Sequence, residues 1–323
     1  MKTFKFICSN ITNPYFNIAS EEYLLKQTDG FYIYLWRNSP AVIVGNNQNT
    51  LLEVNLTCAK ENGVSVVRRL TGGGTVYHDL NNVCYTVIAP YNNSENNYVK
   101  FTTPVIEYLN SLGVNAVFSG RNDVCINNQK ISGNAQVVYK NRIMHHGCIL
   151  FDTDLSVLSN ILVENKLKTE SKGVKSIRAR VTNVKEHLPI NMNCDEFFKG
   201  LSAHLTKNLE EYSFTTDDLF KINELVKNKY DTYEWNIGKS PKGSSRIDCR
   251  FSFGTVSLTF DLVGGILQNV EIFGDFFSNE SVTNFISNLN GKRFIKEEVL
   301  SCLNGIENLI AGASAQEIVD NIF

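Results

Sequence analysis

The 323-residue sequence predicts an α+β protein with two domains, a sheet-based domain over 1–240 and a smaller α+β domain over 247–323. Short apolar runs are separated by tight turns, and only a few helical patterns lie between them. The stretch 235–245 is rich in glycine, proline and serine, which is typical of a linker. The chain is long for one domain, and its 43% hydrophobic content is enough for a substantial core.

The first third of the chain alternates helices and strands. Asn13 and Pro14 start a helix that ends near Gln27. We place Glu21 and Glu22 of this helix on its solvated face. The sequence also predicts strands over 31–36, 41–44 and 64–67, and a helix over 55–62.

The stretch 68–79, Arg-Arg-Leu-Thr-Gly-Gly-Gly-Thr-Val-Tyr-His-Asp, is the most unusual part of the sequence. Three consecutive glycines destabilise a helix or strand but allow the backbone to approach a ligand closely. With Arg68 and Arg69 at its start, the loop predicts a site for a phosphate-bearing ligand. It lacks the Gly-Lys-Ser/Thr ending of a P-loop. The alternative interpretation is a tight hairpin with solvated arginines.

Strands dominate the segment after this loop, and helices dominate the end of each domain. The Asn127-Asn128 pair predicts a hairpin turn. The predicted strands cover 83–88, 114–118, 124–126, 130–139, 143–151, 250–261 and 265–273. The predicted helices cover 103–112, 154–165, 197–209, 217–230, 279–289, 296–303 and 313–323.

Two further segments combine polar residues with strand-and-turn sequence. Asn122 and Asp123 form a pair suited to a hydrated Mg²⁺ ion. Lys130 enters an apolar strand, and taken singly it is more typical of a solvated lysine at the end of a hairpin. His145 and His146 are adjacent on a strand, so they point to opposite faces and cannot share one site without a bulge.

Composition excludes several classes of protein. The net charge of −2 gives no basic field for nucleic acid, and no apolar run is long enough to span a membrane. Eight cysteines lack the spacing of a zinc site. We expect Cys84, Cys125 and Cys148 to be buried free thiols in a cytoplasmic protein.

Stretch 68–79 resembles the signature of lipoate–protein ligases, usually written Arg-Arg-x-Ser-Gly-Gly-Gly-Ala-Val-aromatic-His-Asp. Other motifs of that family match in order and spacing, and they lie at 13–17, 35–37, 120–123, 130–135, 145–147, 176–183 and 235–238. The resemblance runs from about residue 10 to the linker, and more loosely to the end. It implies a catalytic domain of the biotin/lipoate ligase type followed by an accessory domain.

The resemblance also implies an activity in two steps. Lipoate and ATP, with Mg²⁺, give lipoyl-AMP and pyrophosphate. A lysine of a lipoyl domain, on an E2 subunit of a 2-oxoacid dehydrogenase or on the glycine cleavage H protein, then takes the lipoyl group. We expect a monomer that binds neither nucleic acid nor membrane.

The family motifs assign roles to individual residues. Lys130 would be catalytic, contacting both the lipoate carboxylate and the α-phosphate, and Asp123 would bind the metal. The residues predicted to bind lipoate or ATP are Arg69, Thr71, Gly72, Gly73, Gly74, Thr75, Val76, Tyr77, Asn82, Asn122, Asp123, Lys130, Ser132, Gly133, Ala135 and His146. For the apolar slot of the dithiolane we name Val44, Val76, Val87 and Ile149.

Two departures from the family keep alternatives open. Asn46 stands where the family often has arginine. Cys148 directly follows His-His-Gly, and related transferases use a cysteine to form a thioester without ATP. A packed strand thiol is the simpler interpretation of Cys148.

A non-catalytic lipoate-binding protein is a third hypothesis. The basic run 168–180 is a candidate contact for the acceptor domain.

Overall fold

The computed structural model describes residues 4–27, 30–91, 97–161, 181–207, 209–238, 245–263 and 265–323. The basic run 168–180 and linker residues 239–244 lie outside this part. The strands are β1 Phe4–Cys8, β2 Phe31–Trp36, β3 Ala41–Val44, β4 Ser65–Arg68, β5 Val76–His78, β6 Asn82–Pro90, β7 Ala116–Ser119, β8 Asp123–Ile126, β9 Gln129–Tyr139, β10 Arg142–Leu150, β11 Glu210–Glu211, β12 Ser245–Phe251, β13 Gly254–Val263 and β14 Ile266–Gly274. The α-helices are α1 Pro14–Leu25, α2 Thr50–Glu53, α3 Leu56–Glu61, α4 Asn97–Ser111, α5 Leu155–Ile161, α6 Cys194–Leu205, α7 Thr216–Leu225, α8 Thr283–Ile286, α9 Lys296–Leu303 and α10 Ala315–Ile322.

An eight-stranded mixed sheet forms the centre of the large domain, in the order β11-β1-β2-β6-β10-β9-β8-β7. Tight turns join β8, β9 and β10 into antiparallel hairpins. In the first turn Asn127 and Asn128 both have positive φ, 51° and 63°, as a two-residue hairpin requires. The α+β fold class and this turn are confirmed.

A second sheet of three strands, in the order β4-β3-β5, carries the triple-glycine loop. Strand β3 pairs with β4 in parallel and with β5 antiparallel. All four residues of β3 are buried. The loop between β4 and β5 is therefore anchored at both ends on a strand that cannot move independently of the core.

Helix α1 begins as predicted, because Asn13 Oδ1 accepts a hydrogen bond from the Phe16 amide at 3.1 Å. The placement of its two glutamates was wrong. Glu21 is 1% exposed and Glu22 is 3% exposed. Both carboxylates are buried with hydrogen-bonding partners, Glu22 with Lys229 Nζ at 2.7 Å, which is the condition under which a charge can be buried.

Several boundaries differ from the sequence-based expectation. Helix α4 starts at Asn97, well before the predicted residue 103, and carries Pro104 inside it. The linker prediction was wrong for 235–238, because a π-helical turn, Glu234–Gly238, packs against β4 there. None of the described helices is long and apolar enough to cross a membrane.

The end of the chain forms an antiparallel sheet, β12-β13-β14, covered by α8, α9 and α10. Its buried side chains, from Phe251 to Val319, make a hydrophobic cluster of their own. The domain bounds 1–240 and 247–323 stay a prediction. The end of β14 rests against the turn that follows β3 in the large domain, since Gly274 N donates to Asn47 O.

Candidate active site

A cavity of about 430 Å³ opens beside the triple-glycine loop. It is lined by the loop, by β8, β9 and β10 of the central sheet, and by residues of the C-terminal domain. Eleven of the sequence-predicted site residues lie on its wall, namely Arg69, Gly73, Gly74, Thr75, Val76, Asn122, Asp123, Lys130, Gly133, Ala135 and His146. Those not on the wall are Thr71, Gly72, Tyr77, Asn82 and Ser132. The structure thus brings most of the set together, while their binding roles stay predictions.

Arg69 gives the glycine loop its shape. Its side chain is 5% exposed and runs inside the loop. It donates hydrogen bonds to Thr71 Oγ1 at 2.9 Å, Ile43 O at 2.9 Å, Gly72 O at 2.7 Å and Gly74 O at 2.8 Å. A guanidinium has five N–H donors, so Arg69 keeps at most one for a ligand. Burial, the main cause, lowers the pKa of Arg69 to about 10.

Arg68 is not on the cavity wall, and it is not a solvated arginine as the alternative hairpin interpretation required. Its side chain is fully buried. Burial, and then the neighbouring Arg69, lower its pKa to about 10. The acceptors of its hydrogen bonds are Gly45 O, Asn46 O, Gln48 O, Thr50 Oγ1, Trp235 O and Asn236 O. Arg68 therefore ties three backbone segments together and has a structural role.

Two glycines of the loop have opposite steric surroundings. A Cβ on Gly72 would lie 2.5 Å from Phe276 O and 3.2 Å from Phe277 Cα in the C-terminal domain. A Cβ on Gly74 would meet nothing within 4 Å. Only at Gly72 does the close approach of another backbone require a residue without a side chain.

We expect Gly72→Ala to push the C-terminal domain off the loop, while Gly74→Ala leaves it seated. Overpacking of this kind costs about 1–3 kcal/mol. Small-angle X-ray scattering should show a larger radius of gyration for Gly72→Ala, and urea unfolding a lower stability. The same scattering profile for both variants and the wild type would contradict this account of the contact.

Lys130 and Asp123 form an ion pair on the cavity wall, with 2.7 Å between Nζ and Oδ1. Both side chains are about one third exposed, 34% and 36%. The strands β8 and β9 that carry them are joined by the Asn127-Asn128 turn, which fixes their register. A lysine on this wall can move between Asp123 and an incoming anion without leaving the site.

His146 joins the cavity wall to a buried carboxylate. Its Nδ1 lies 2.8 Å from Glu21 Oε1, and its Nε2 lies 2.8 Å from Thr71 Oγ1. Because a carboxylate can only accept, His146 Nδ1 carries a proton and donates it to Glu21. Thr71 Oγ1 accepts from Arg69 Nε and still has its own hydrogen to donate to His146 Nε2. The chain Glu21–His146–Thr71–Arg69 holds the loop against the sheet, and no local feature of the sequence indicated these contacts.

His145 lies on the opposite face of β10, as the strand alternation predicted. It is buried among the rings of Tyr85, Tyr98 and Phe101. Burial first, and then His146, lower its pKa to about 3. His78, on the cavity wall, is also fully buried, and its pKa is likewise lowered to about 3, mainly by burial. Both histidines are neutral in the folded protein near neutral pH.

Because His145 and His78 are buried and neutral, we expect the protein to lose stability in mild acid. Their folded-state pKa lies below the unfolded value of about 6.5, so the unfolded chain binds more protons as pH falls from 6.5 toward 3. Each should lower the free energy of unfolding by about 1.4 kcal/mol per pH unit in that window. Urea unfolding at pH 7, 6 and 5 measures the slope, and His145→Gln should remove about half of it. Equal stability at pH 7 and pH 5 would contradict the assignment.

The deep part of the cavity is apolar, and most of its residues were missed. Of the predicted slot residues only Val76 lines it, and the other lining side chains here are Ile18, Trp36 and Ile43. Val44, Val87 and Ile149 are not on the wall. Trp36 lies within the family motif at 35–37, and this motif could have indicated that it belongs to the site. Ile18 faces the cavity because α1 packs across the sheet, a long-range contact.

Cys148 lies on the cavity wall as a free thiol. Burial raises its pKa, although Lys130 partly offsets the effect. Cys84 stands directly opposite it on β6, is also free, and burial raises its pKa well above the usual range. Thiols with raised pKa values are poor nucleophiles at neutral pH. The expectation of buried free thiols is confirmed for Cys84 and Cys125.

With this geometry in place, comparison with known proteins identifies the family. The model of the lipoyl protein ligase A/B catalytic domain matches residues 13–206, and that of the bacterial lipoate protein ligase C-terminus matches residues 240–322. The lipoate-protein ligase LplJ of Bacillus subtilis is 38% identical over 324 aligned residues, covering 97% of this chain and 98% of that protein.

Two solved structures support the same assignment. The crystal structure of P. falciparum LipL1 in complex with lipoate superimposes with a TM-score of 0.80 at 27% identity, covering 99% of this chain and 98% of LipL1. A lipoate-protein ligase A bound with ATP gives a TM-score of 0.63 at 27% identity, covering 74% of this chain and 99% of that one. The chain belongs to the lipoate–protein ligase family.

Proposed function

We propose that this ligase activates lipoate with ATP to give bound lipoyl-AMP and pyrophosphate, and then transfers the lipoyl group to a lysine of a lipoyl domain. The observation that carries the proposal is the cavity itself. A lysine and bare main-chain donors of a glycine loop face the same space, next to an apolar end. The relatives described above include one bound with lipoate and one bound with ATP.

The first step joins two anions, so charge neutralisation and positioning account for most of its catalysis. A carboxylate oxygen of lipoate attacks the α-phosphorus, the bond to the bridging oxygen breaks, and pyrophosphate leaves with the electron pair. Lys130 would hold both the carboxylate and the α-phosphate, while the glycine-loop amides donate to phosphate oxygens. No protein nucleophile is required.

The residues present fit a magnesium ion supplied with the nucleotide. No group of three or more metal-binding side chains occurs among the residues that the structure describes. Magnesium in such sites is held by one or two carboxylates together with substrate phosphates and water. Asp123 would supply the carboxylate, and Mg²⁺ would neutralise phosphate charge. Asn122 Nδ2 donates to Asn134 O at 2.7 Å, so the atom of this side chain that could meet a hydrated ion is Oδ1.

The apolar end of the cavity would take the dithiolane and its chain. Ile18, Trp36, Ile43 and Val76 offer hydrophobic contact there. The carboxylate would then reach Lys130 while the ring stays out of water. Burying such apolar surface favours binding by about 25 cal/mol per Å².

The second step needs an acceptor lysine from a lipoyl domain. The adenylate is a mixed anhydride, and the lysine nitrogen forms the amide while AMP leaves. We propose as acceptors the lipoyl domains of 2-oxoacid dehydrogenase E2 subunits and the glycine cleavage H protein.

A thioester route through Cys148 is the second candidate, because this thiol lines the cavity. Its raised pKa argues against it. Exchange of radiolabelled pyrophosphate into ATP, with lipoate present, separates the two routes. The adenylate route predicts exchange that persists in Cys148→Ala. Absence of exchange in the wild type would favour the thioester.

Mass spectrometry of a lipoyl domain tests the whole reaction. We expect the mass of one lipoyl group to be added when enzyme, ATP, Mg²⁺ and lipoate are all present. Omission of any one of them should abolish the addition. Lipoylation without ATP would overturn the proposal.

A further inference from the structure

The C-terminal domain contributes side chains to the cavity wall. Arg250 comes from β12, and Asp275 and Phe277 follow β14. Arg121 of the large domain reaches across to them, donating from Nη1 to Phe253 O at 2.5 Å. Its guanidinium also lies over the ring of Phe277, 4.5 Å from the centroid. The two domains therefore share one cavity in this arrangement.

The contact continues along the turn after β3 and the neighbouring glycine loop. Asn47 Nδ2 donates to Ser278 Oγ at 3.2 Å, and the ring of Phe277 lies 3.2 Å from where a Cβ on Gly73 would be. Tyr98 meets the same ring edge-on at 6.1 Å. The C-terminal domain is thus held in place by backbone and aromatic contacts, and none of these contacts involves Arg250.

Among the residues that the structure describes, four cationic side chains line the cavity, and they differ in the groups that already bind them. Arg69 uses four N–H groups inside the loop. Arg121 is engaged with Phe253 and Phe277. Lys130 is paired with Asp123. The Arg250 side chain forms no hydrogen bond or ion pair with any residue in the described part of the chain, and it is exposed on the cavity wall.

We propose that Arg250 is a further catalytic residue, which binds a phosphate of ATP from the C-terminal domain, so that the adenylation site is shared between domains. This inference rests on the proposed function and adds a residue to it. A guanidinium with free donors suits a phosphate, which it can bind through two parallel hydrogen bonds. Arg250 forms and breaks no covalent bond. It neutralises phosphate charge that the occupied donors of Arg69 cannot reach.

Binding of nucleotides to the full chain, without lipoate, tests the proposal independently of turnover. The variants are Arg250→Ala and Arg250→Lys, with Arg246→Ala as the matched control. Arg246 lies on the same strand, pairs with Asp248 and is absent from the cavity wall. Isothermal titration calorimetry gives the Kd for ATP, for AMP and for adenosine with each protein.

We expect Arg250→Ala to raise the Kd for ATP about tenfold to a hundredfold, as the loss of a charge-assisted hydrogen bond predicts. Arg250→Lys should recover part of the affinity, and Arg246→Ala should stay within about twofold of the wild type. Adenosine, which has no phosphate, should bind equally to all four proteins. Comparing the loss of affinity for ATP with the loss for AMP shows whether Arg250 binds the α-phosphate, which both carry, or a phosphate that only ATP carries.

The proposal is overturned if Arg250→Ala binds ATP like the wild type, if adenosine loses as much affinity as ATP, or if Arg246→Ala has the same effect. Pyrophosphate exchange keeps this failure distinct from failure of the proposed function. A wild type that exchanges pyrophosphate while Arg250→Ala exchanges equally well contradicts only the role of Arg250. A wild type that binds no ATP contradicts both.

Discussion

Lys130→Ala should reduce adenylation by about a hundredfold to a thousandfold, the range seen when one preorganised donor at a reacting centre is removed. Lys130 is placed on the cavity wall where it can neutralise both reactants, whereas Arg69 is committed to the glycine loop. The fold should not suffer. The side chain is 34% exposed and makes an ion pair on the cavity wall, so its removal leaves no core cavity. Pyrophosphate exchange measures the rate, and thermal unfolding checks the fold.

Lys185→Ala is the control for Lys130→Ala. Lys185 also pairs with an aspartate, Asp152, at 2.5 Å, and it is similarly exposed, but it lies outside the cavity wall. It should exchange pyrophosphate at the wild-type rate. A near-normal rate for Lys130→Ala would remove this residue from the mechanism.

Arg68→Ala should destabilise the protein by about 3–5 kcal/mol, since it leaves several buried carbonyl oxygens without a donor. Those oxygens belong to the segment 45–48 and to the turn at 235–236. Both segments border the glycine loop or its supporting strand β4. We therefore expect lower activity as a consequence of lost structure. Urea unfolding measures the stability.

Arg293→Ala provides the comparison for Arg68→Ala. Arg293 is an exposed arginine paired with Glu298 in the C-terminal domain. Its removal should leave the urea midpoint unchanged. If Arg68→Ala unfolded at the same urea concentration as the wild type, the structural role assigned to Arg68 would be wrong.

The central loop was predictable from a local signal, whereas Lys130, which taken singly is typical of a solvated lysine, was assigned to the site by the family motif at 130–135. Three adjacent glycines exclude regular structure within a few residues of sequence. The same holds for the turn at Asn127 and Asn128, whose short polar side chains tolerate positive φ. The backbone conformation of such segments depends on the preferences of adjacent residues, so it can be predicted from the sequence.

The partners of Glu21 and Arg68 could not be predicted in this way. Glu21 is buried because it meets His146, 125 positions later, and Arg68 because it meets Asn236, 168 positions later. An isolated glutamate on a helix is normally solvated, and an arginine before a glycine loop suggests an anion. Tertiary contacts reversed both expectations. The positions of Arg250 and Phe277 on the cavity wall could not be predicted for the same reason, since these residues come from the other domain.

A crystal structure of the protein soaked with lipoate and ATP would show where the adenylate binds. We expect lipoyl-AMP with its phosphate between Lys130 and the amides of Gly73 and Gly74, and with its dithiolane next to Trp36. An adenylate bound elsewhere, away from both the triple-glycine loop and Lys130, would contradict it.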